Sequence, residues 1–284
     1  MDAVGLRPTY VGIGAQKCAS SWLHNVLAEH PEVAVPEVKE LDFFSYNYDH
    51  GYQWYERCFR SAKPARARGE ISPSYFCEPA APERVARYLP EAKILLSLRD
   101  PVERALSNHR HEVRVGHLTG PDLSFEAGLK NNPMYVEQGR YATHLKRWLG
   151  HFDRSSILVV LMEDIDADPR AVTREVYRFL GVDDQYLPAG LTTRYNRSFA
   201  NRLSLLKSLK DSAYEATRLP GLRWVWSIAA RTGLRSLYRG INKIPSSAVI
   251  PEPSAQTLVD LRRQFAPEVR ELEPLLGRSL ATWL

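Results

Sequence analysis

Residues Tyr10–Leu27 read YVGIGAQKCASSWLHNVL, and the rest of the chain is organised around them. A short apolar run passes through Gly12 and Gly14 to Lys17. Small residues follow (Cys18, Ala19, Ser20, Ser21), and an amphipathic pattern begins at about Trp22. This predicts a strand entering a helix through a turn of Gly, Lys and Ser. Such a turn holds anions, because loop N–H groups, the helix dipole and one mobile cation face the same point. Two phosphate loops fail on spacing. A Walker A loop requires G-x-x-x-x-G-K-[ST], whereas Lys17 follows Gln16 and precedes Cys18. A dinucleotide fingerprint requires a third glycine where Lys17 stands. A plain strand–turn–helix with a solvated lysine is the alternative, so a second anchor must be sought elsewhere.

The 284 residues allow one large or two small domains, and a hydrophobic share of 44% supplies a sizeable core. A net charge of +5 suits anionic ligands but is too small and dispersed to argue for nucleic acid. Arginine outnumbers lysine, favouring forked contacts to phosphate or sulfate. The three cysteines (Cys18, Cys58, Cys77) have no metal-ligand spacing and fit a reducing compartment. The opening MDAVGLRPTY lacks a signal pattern. The most apolar long window, Leu219 to Ile241, is broken by Arg223, Arg231, Arg235 and Arg239. The expectation is a soluble, cytoplasmic protein.

Strands are expected at about Thr9–Ile13, near Gly69, over Lys93–Arg99 and over Ser156–Leu161. Helices are expected at about Ser21–His30, Pro82–Leu89, from Asp100-Pro101 to Val115, Tyr141–Gly150 and Arg170–Leu180. Tyr52, Tyr55 and Phe59 have helical spacing and read as core. Lys39-Glu-Leu-Asp-Phe-Phe44 reads as a short element with an apolar tail, and the stretch between Val115 and Tyr141 as a polar connection. Alternating strands and helices imply a mostly parallel sheet covered on both faces, a three-layer α/β/α domain. From Asn201 the pattern is helical only: Leu203–Leu219, Leu222–Tyr238 and Ser254–Leu276. The expectation is one domain over residues 1–284 with a helical portion at about 201–284. The basic amphipathic helices are expected to pack on that domain; touching a membrane surface or covering the active site stays open as an alternative that is not expected.

The second anchor is Leu98-Arg-Asp-Pro-Val-Glu-Arg-Ala-Leu-Ser107. It places Arg99 at a strand end and Ser107 eight residues later on the following helix. The plain alternative is an Arg99 ion pair with Asp100 or Glu103. A guanidinium offers two planar donors to a phosphate, and a serine hydroxyl adds a third.

LRDPVERALS is similar to the L-R-[DN]-P-x-[ED]-R-x-x-S signature of sulfotransferases that use 3′-phosphoadenosine-5′-phosphosulfate (PAPS). The order Gly14-x-x-Lys17-x-x-Ser20-Ser21 resembles their 5′-phosphosulfate loop. Val38-Lys-Glu-Leu-Asp-Phe-Phe44 looks like the [KN]-E-x-x-F-F element of the heparan sulfate and bacterial branch. Gly69-Glu-Ile-Ser-Pro-Ser-Tyr75, Gly139-Arg-Tyr141 with Trp148-Leu, Tyr195-Asn-Arg-Ser198, and Leu275-Leu-Gly-Arg-Ser-Leu with Trp283-Leu extend the similarity over most of the chain.

The resemblance implies a P-loop-type fold and in-line sulfuryl transfer from PAPS, leaving PAP, to a hydroxyl or amine of a glycan, glycolipid or small-molecule acceptor. It implies Glu40 as general base and Lys17 as the cation on the leaving phosphate. Backbone groups of Cys18, Ala19, Ser20, Ser21 and Trp22 would hold the 5′-phosphate, and Arg99 and Ser107 the 3′-phosphate. Arg202 would close over the nucleotide, with Arg197 and Lys207 as rivals; no metal and no nucleic-acid partner are implied. Partial burial beside Phe43 and Phe44 would tune Glu40. His109 and His111 are rival bases read as structural or substrate-edge residues, and Arg140 and Tyr141 are candidates for the acceptor cleft. Ile71 stands where heparan-type members carry Lys, with Lys39 a substitute. Ala19 replaces a frequent Gly, which Ala fits with negative φ. The alternatives are a non-catalytic nucleotide- or polyanion-binding protein on the same fold, and a P-loop kinase, which would need a Walker A Lys and an acidic Mg²⁺ ligand.

Overall fold

The apolar run after Thr9 forms strand β1 (Tyr10–Gly14), buried along its whole length. Beside it lie β3 (Ala67–Ile71) and β4 (Lys93–Leu98), with β2 (Val33–Ala34) and β5 (Ile157–Leu161) outside them. The sheet order is β2-β3-β1-β4-β5 and every pairing in it is parallel. The computed structural model describes residues 7–60, 65–191, 199–201, 243–245 and 250–284. The chain thus has the expected α/β architecture on a parallel sheet. Parallel strands are buried on both faces and read as unbroken apolar runs, which made β4 and β5 visible in the sequence.

Helix α1 (Ser20–Glu29) follows β1 and ends where His30 turns extended before Pro31. Helices α2 (Tyr52–Arg57) and α3 (Ala81–Tyr88) precede β4. Helix α4 (Pro101–Val115) starts as read: the Asp100 carboxylate accepts from the N–H groups of Val102 (2.8 Å) and Glu103 (3.2 Å). The supposed polar connection contains α5 (Phe125–Asn131) and α6 (Met134–Glu137). Ser124 caps α5 by accepting from Ala127 N–H, and Phe125 and Tyr135 are buried. These short helices lack the two turns of periodic pattern that reading a sequence needs. Helix α7 (Tyr141–Leu149), α8 (Met162–Ala167) and α9 (Pro169–Leu180) complete the middle of the chain, and Gly181 stops α9 at φ 79°. The terminal helix α10 (Ala255–Leu276) carries Pro267 and Pro274 within it.

The chain divides into two compact units. One comprises Met1–Ala105, Val136–Tyr195 and Leu258–Leu284; the other comprises Leu106–Tyr135 and Asn196–Thr257. In the first unit, Trp22, Leu23, Val26 and Leu27 of α1 and Val172, Val176 and Leu180 of α9 form one core with Tyr10, Ile71, Leu95 and Val160. In the second, His109 is buried between the Tyr135 hydroxyl (3.1 Å) and the Leu123 carbonyl (2.9 Å). That unit also contains antiparallel strands β6 (Phe199–Asn201) and β7 (Lys243–Pro245). The expected helices Leu203–Leu219 and Leu222–Tyr238 lie outside the described residues. Among the described residues no helix is long and apolar enough to cross a membrane.

Candidate active site

From β1 the chain runs out to β2, returns through β3, and then crosses to β4 and β5 on the other side. Strand order therefore reverses between β1 and β4. In open parallel sheets that reversal leaves a crevice at the carboxyl ends of the strands, where ligands bind. The Lys17 loop leaves the end of β1 and Arg99 leaves the end of β4, so both predicted anchors stand on the same edge of adjacent strands. The loop is tied down there: Ala15 N–H donates to Ser97 O (2.7 Å), and Ser97 Oγ donates to Gly14 O (3.0 Å).

Lys17 and Ala19 both occupy the left-handed region, at φ 67° and 66°. The negative φ under which an Ala would fit in place of Gly is therefore not met at Ala19. The reversal into α1 requires a left-handed residue at the N-cap, so the Ala carries the steric cost a glycine would avoid. No side chain caps α1 and its first turn holds no acidic residue. The N–H groups of Ser20, Ser21 and Trp22 begin the helix, and their positive dipole end faces the crevice. The Trp22 side chain turns into the core and donates to Leu191 O at 3.0 Å. Cys18 is buried with its thiol at 3.6 Å from the Tyr141 hydroxyl, and burial pushes that thiol up to about 11, so it stays neutral.

Arg99 donates to the Glu103 carboxylate at 3.0 Å, the ion pair weighed above. Its segment is braced from behind. The Asp100 N–H donates to Glu163 (3.2 Å), Trp283 Nε1 donates to the same Glu163 oxygen (2.9 Å), and Arg262 pairs with Asp100 (3.2 Å). Ser107 lies further along α4, within the second unit, and its place beside Arg99 rests on the signature alone. Arg202, with its rivals Arg197 and Lys207, lies outside the described residues.

Glu40 follows β2 and so emerges on the same carboxyl edge. Lys39 Nζ lies 2.5 Å from the Glu40 carboxylate and donates to Ser21 Oγ at 3.1 Å, which joins the Glu40 loop to the start of α1. The expected short element is an irregular loop with Glu40 at φ 62° and Asp42 at φ 49°. Glu40 is partly buried. Its side chain is 45% exposed, while both phenyl rings are fully buried, Phe43 stacked on Tyr55 of α2. Two residues of apolar tail sink the chain into the aromatic core and leave the acid at the surface.

Tyr141, a candidate for the acceptor cleft, is instead buried beneath Cys18, and Arg140, half-exposed, pairs with Glu268 (3.2 Å) and Glu137 (3.5 Å). Ile71 packs on Gly12, where an added Cβ would come within 2.4 Å of Ile71 Cγ1, so this position is apolar core. Sequence reasoning passed over Arg104, His24 and Glu70. Arg104, fully buried, acts electrostatically on Cys18; it stood inside the quoted signature. His24 feels the charges of Lys39 and Glu40, and burial lowers its pKa. Glu70 is buried at the end of β3, inside the quoted Gly69–Tyr75 stretch. All three cysteines are free, and among the described residues no group of His, Cys, Asp and Glu is arranged to hold a metal.

Residues 9–218 match the family model described as the sulfotransferase domain. The chain is 32% identical over 205 residues to the Mus musculus bifunctional heparan sulfate N-deacetylase/N-sulfotransferase 4, a match covering 63% of this chain and 23% of that protein. It is 33% identical over 189 residues to the Mus musculus heparan sulfate glucosamine 3-O-sulfotransferase 3B1, covering 62% and 46%. The chain thus spans less than half the length of these curated relatives. The crystal structure of a sulfotransferase from Alicyclobacillus acidocaldarius superimposes with a TM-score of 0.70 and 27% identity, over 98% of each chain. On the domain match, which takes in the Lys17 loop, Glu40 and Arg99, the chain belongs to the sulfotransferase family.

Proposed function

We propose that this chain moves a sulfuryl group from PAPS to a hydroxyl or amine of a glycan, glycolipid or small-molecule acceptor. The observation that carries this reading is the convergence of three loops on one sheet edge: Lys17 after β1, Arg99 after β4, and Glu40 held to the start of α1 through Lys39 and Ser21. The uncapped N-terminus of α1, free of acidic residues in its first turn, fits a 5′-phosphate, and the Arg99 guanidinium fits a 3′-phosphate. Arg99 exchanges its Glu103 partner for that phosphate, and Ser107 adds the hydroxyl its signature implies.

Lys17 offsets the charge that grows on the bridging oxygen as the sulfur–oxygen bond breaks. Glu40, exposed at the crevice, takes the acceptor proton as the new bond forms. Lys39 stands between that carboxylate and the helix start, so it supplies the second cation that Ile71 does not. No step uses a metal.

The test is transfer from ³⁵S-labelled PAPS across an acceptor panel, with and without chelator. Glu40→Gln is expected to keep PAP affinity and lose turnover, whereas Lys17→Ala and Arg99→Ala weaken PAP binding. Full turnover in the Glu40 variant would sink the assignment of the base. Tight PAP binding with no transfer by the unsubstituted protein would favour a binding protein, and dependence on a divalent ion a kinase.

A further inference from the structure

We propose that Glu70, buried out of reach of any acceptor, is a positioning residue that sets the catalytic Glu40 by anchoring the loop behind it; this rests on the reading of Glu40 as the base. Glu70 sits at the end of β3 with 1% of its surface exposed. Its carboxylate accepts from Ser72 Oγ at 2.7 Å and from the Tyr75 hydroxyl at 2.6 Å. Each of those hydroxyls accepts in turn from the backbone of the Glu40 loop: Asp42 N–H reaches Ser72 Oγ (2.9 Å) and Phe43 N–H reaches the Tyr75 oxygen (2.8 Å). The Leu41 N–H faces the Glu70 carboxylate directly. Three consecutive amides, beginning one residue after Glu40, therefore converge on one buried acid.

The loop needs such an anchor. Glu40 and Asp42 both hold left-handed φ angles, at 62° and 49°, which residues with a Cβ keep only where their surroundings over-determine the backbone. Side-chain ties complete the clamp: Ser74 Oγ donates to Asp42 Oδ1 (2.6 Å) and Asn47 Nδ2 to Leu41 O (2.8 Å). Lys39, held by Ser21, fixes the other side of Glu40. The base is thereby pinned between the phosphate-loop helix and the end of β3. Glu70 itself is no rival base, since its hydrogen bonds point into the protein. A carboxylate serves here because both hydroxyls must donate to it in order to leave their oxygens as acceptors for the loop amides.

The test compares Glu70→Gln, Ser72→Ala and Tyr75→Phe with the unsubstituted protein by amide hydrogen exchange, PAP binding and steady-state kinetics. Faster exchange is expected at Leu41, Asp42 and Phe43 and not in the Lys17 loop. Affinity for PAP is expected to stay within about twofold while kcat falls roughly 10- to 100-fold, the loss that a small misplacement of a catalytic group causes. Unchanged exchange at these amides overturns the anchor, and altered exchange with full kcat overturns its catalytic role. Loss of PAP affinity in step with kcat overturns it as well, since general loosening of the fold would then explain both. If the unsubstituted protein transfers no sulfate at all while the exchange differences appear, the sulfotransferase reading fails, and Glu70 as a positioning residue for a base falls with it.

Discussion

At the scale of single residues, the crevice is built from backbone conformations that side-chain chemistry does not advertise. Ala19 was legible as a member of the phosphate loop, but its positive φ follows from how β1 must turn into α1, a geometric demand invisible in residue type. The substitution Ala19→Gly is expected to stabilise the fold by about 1 kcal/mol, because glycine pays no steric cost at φ 66°. Urea denaturation of the two proteins checks it, and a less stable variant would show that the Ala methyl packs better than it strains. Glu40 was recognisable by its motif, and its partial exposure goes with the burial of Phe43 and Phe44, which the apolar tail announced.

At the scale of elements, the segment joining β4 to α4 is held mainly by distant parts of the chain. Asp100 caps its own helix, which the sequence Asp-Pro announced, but the braces from Glu163, Arg262 and Trp283 are long-range and had no local signal. The substitution Trp283→Phe keeps most of the buried ring and removes the bond to Glu163. It should cost about 1 kcal/mol of stability and weaken PAP binding a few-fold, while leaving exchange in the Glu40 loop unaltered. Thermal melts and PAP titration would measure this; unaltered PAP affinity would mean that Arg99 keeps its place without the indole. The short helices α5 and α6 were missed for the opposite reason: patterns of seven and four residues are too brief to stand out from a polar connection.

At the scale of the whole molecule, the parallel sheet and the strands from which the Lys17 and Arg99 loops leave were readable because they depend on apolar runs and on two local motifs. The buried polar network was not, because it joins residues some thirty positions apart in sequence. That network gives the fold a distinct response to pH. Burial raises Glu70 to about 7, with Asp42 adding to the effect, and Tyr10, Tyr55, Tyr75 and Cys58 are the titratable groups that feel its charge. Between about pH 4.5 and 7 the unfolded chain gives up this proton before the folded one does, so this contribution falls as pH rises and is level above 7. The buried His109 and His144 and the partly buried His24, all lowered by burial, act in the other direction and cost stability as pH drops below about 6.5. Relative to the unsubstituted protein, Glu70→Gln should therefore gain stability between pH 5 and pH 8, a difference that denaturant titrations at both values would detect. A constant difference would mean that Glu70 titrates as an ordinary exposed carboxylate. The Trp283 brace carries a consequence for synthesis as well. The ribosome makes Lys17 and Arg99 long before Trp283, so a nascent chain can pair β1 with β4 but cannot finish the scaffold behind Arg99. The brace on the Arg99 segment is thus completed only once Trp283 has been made.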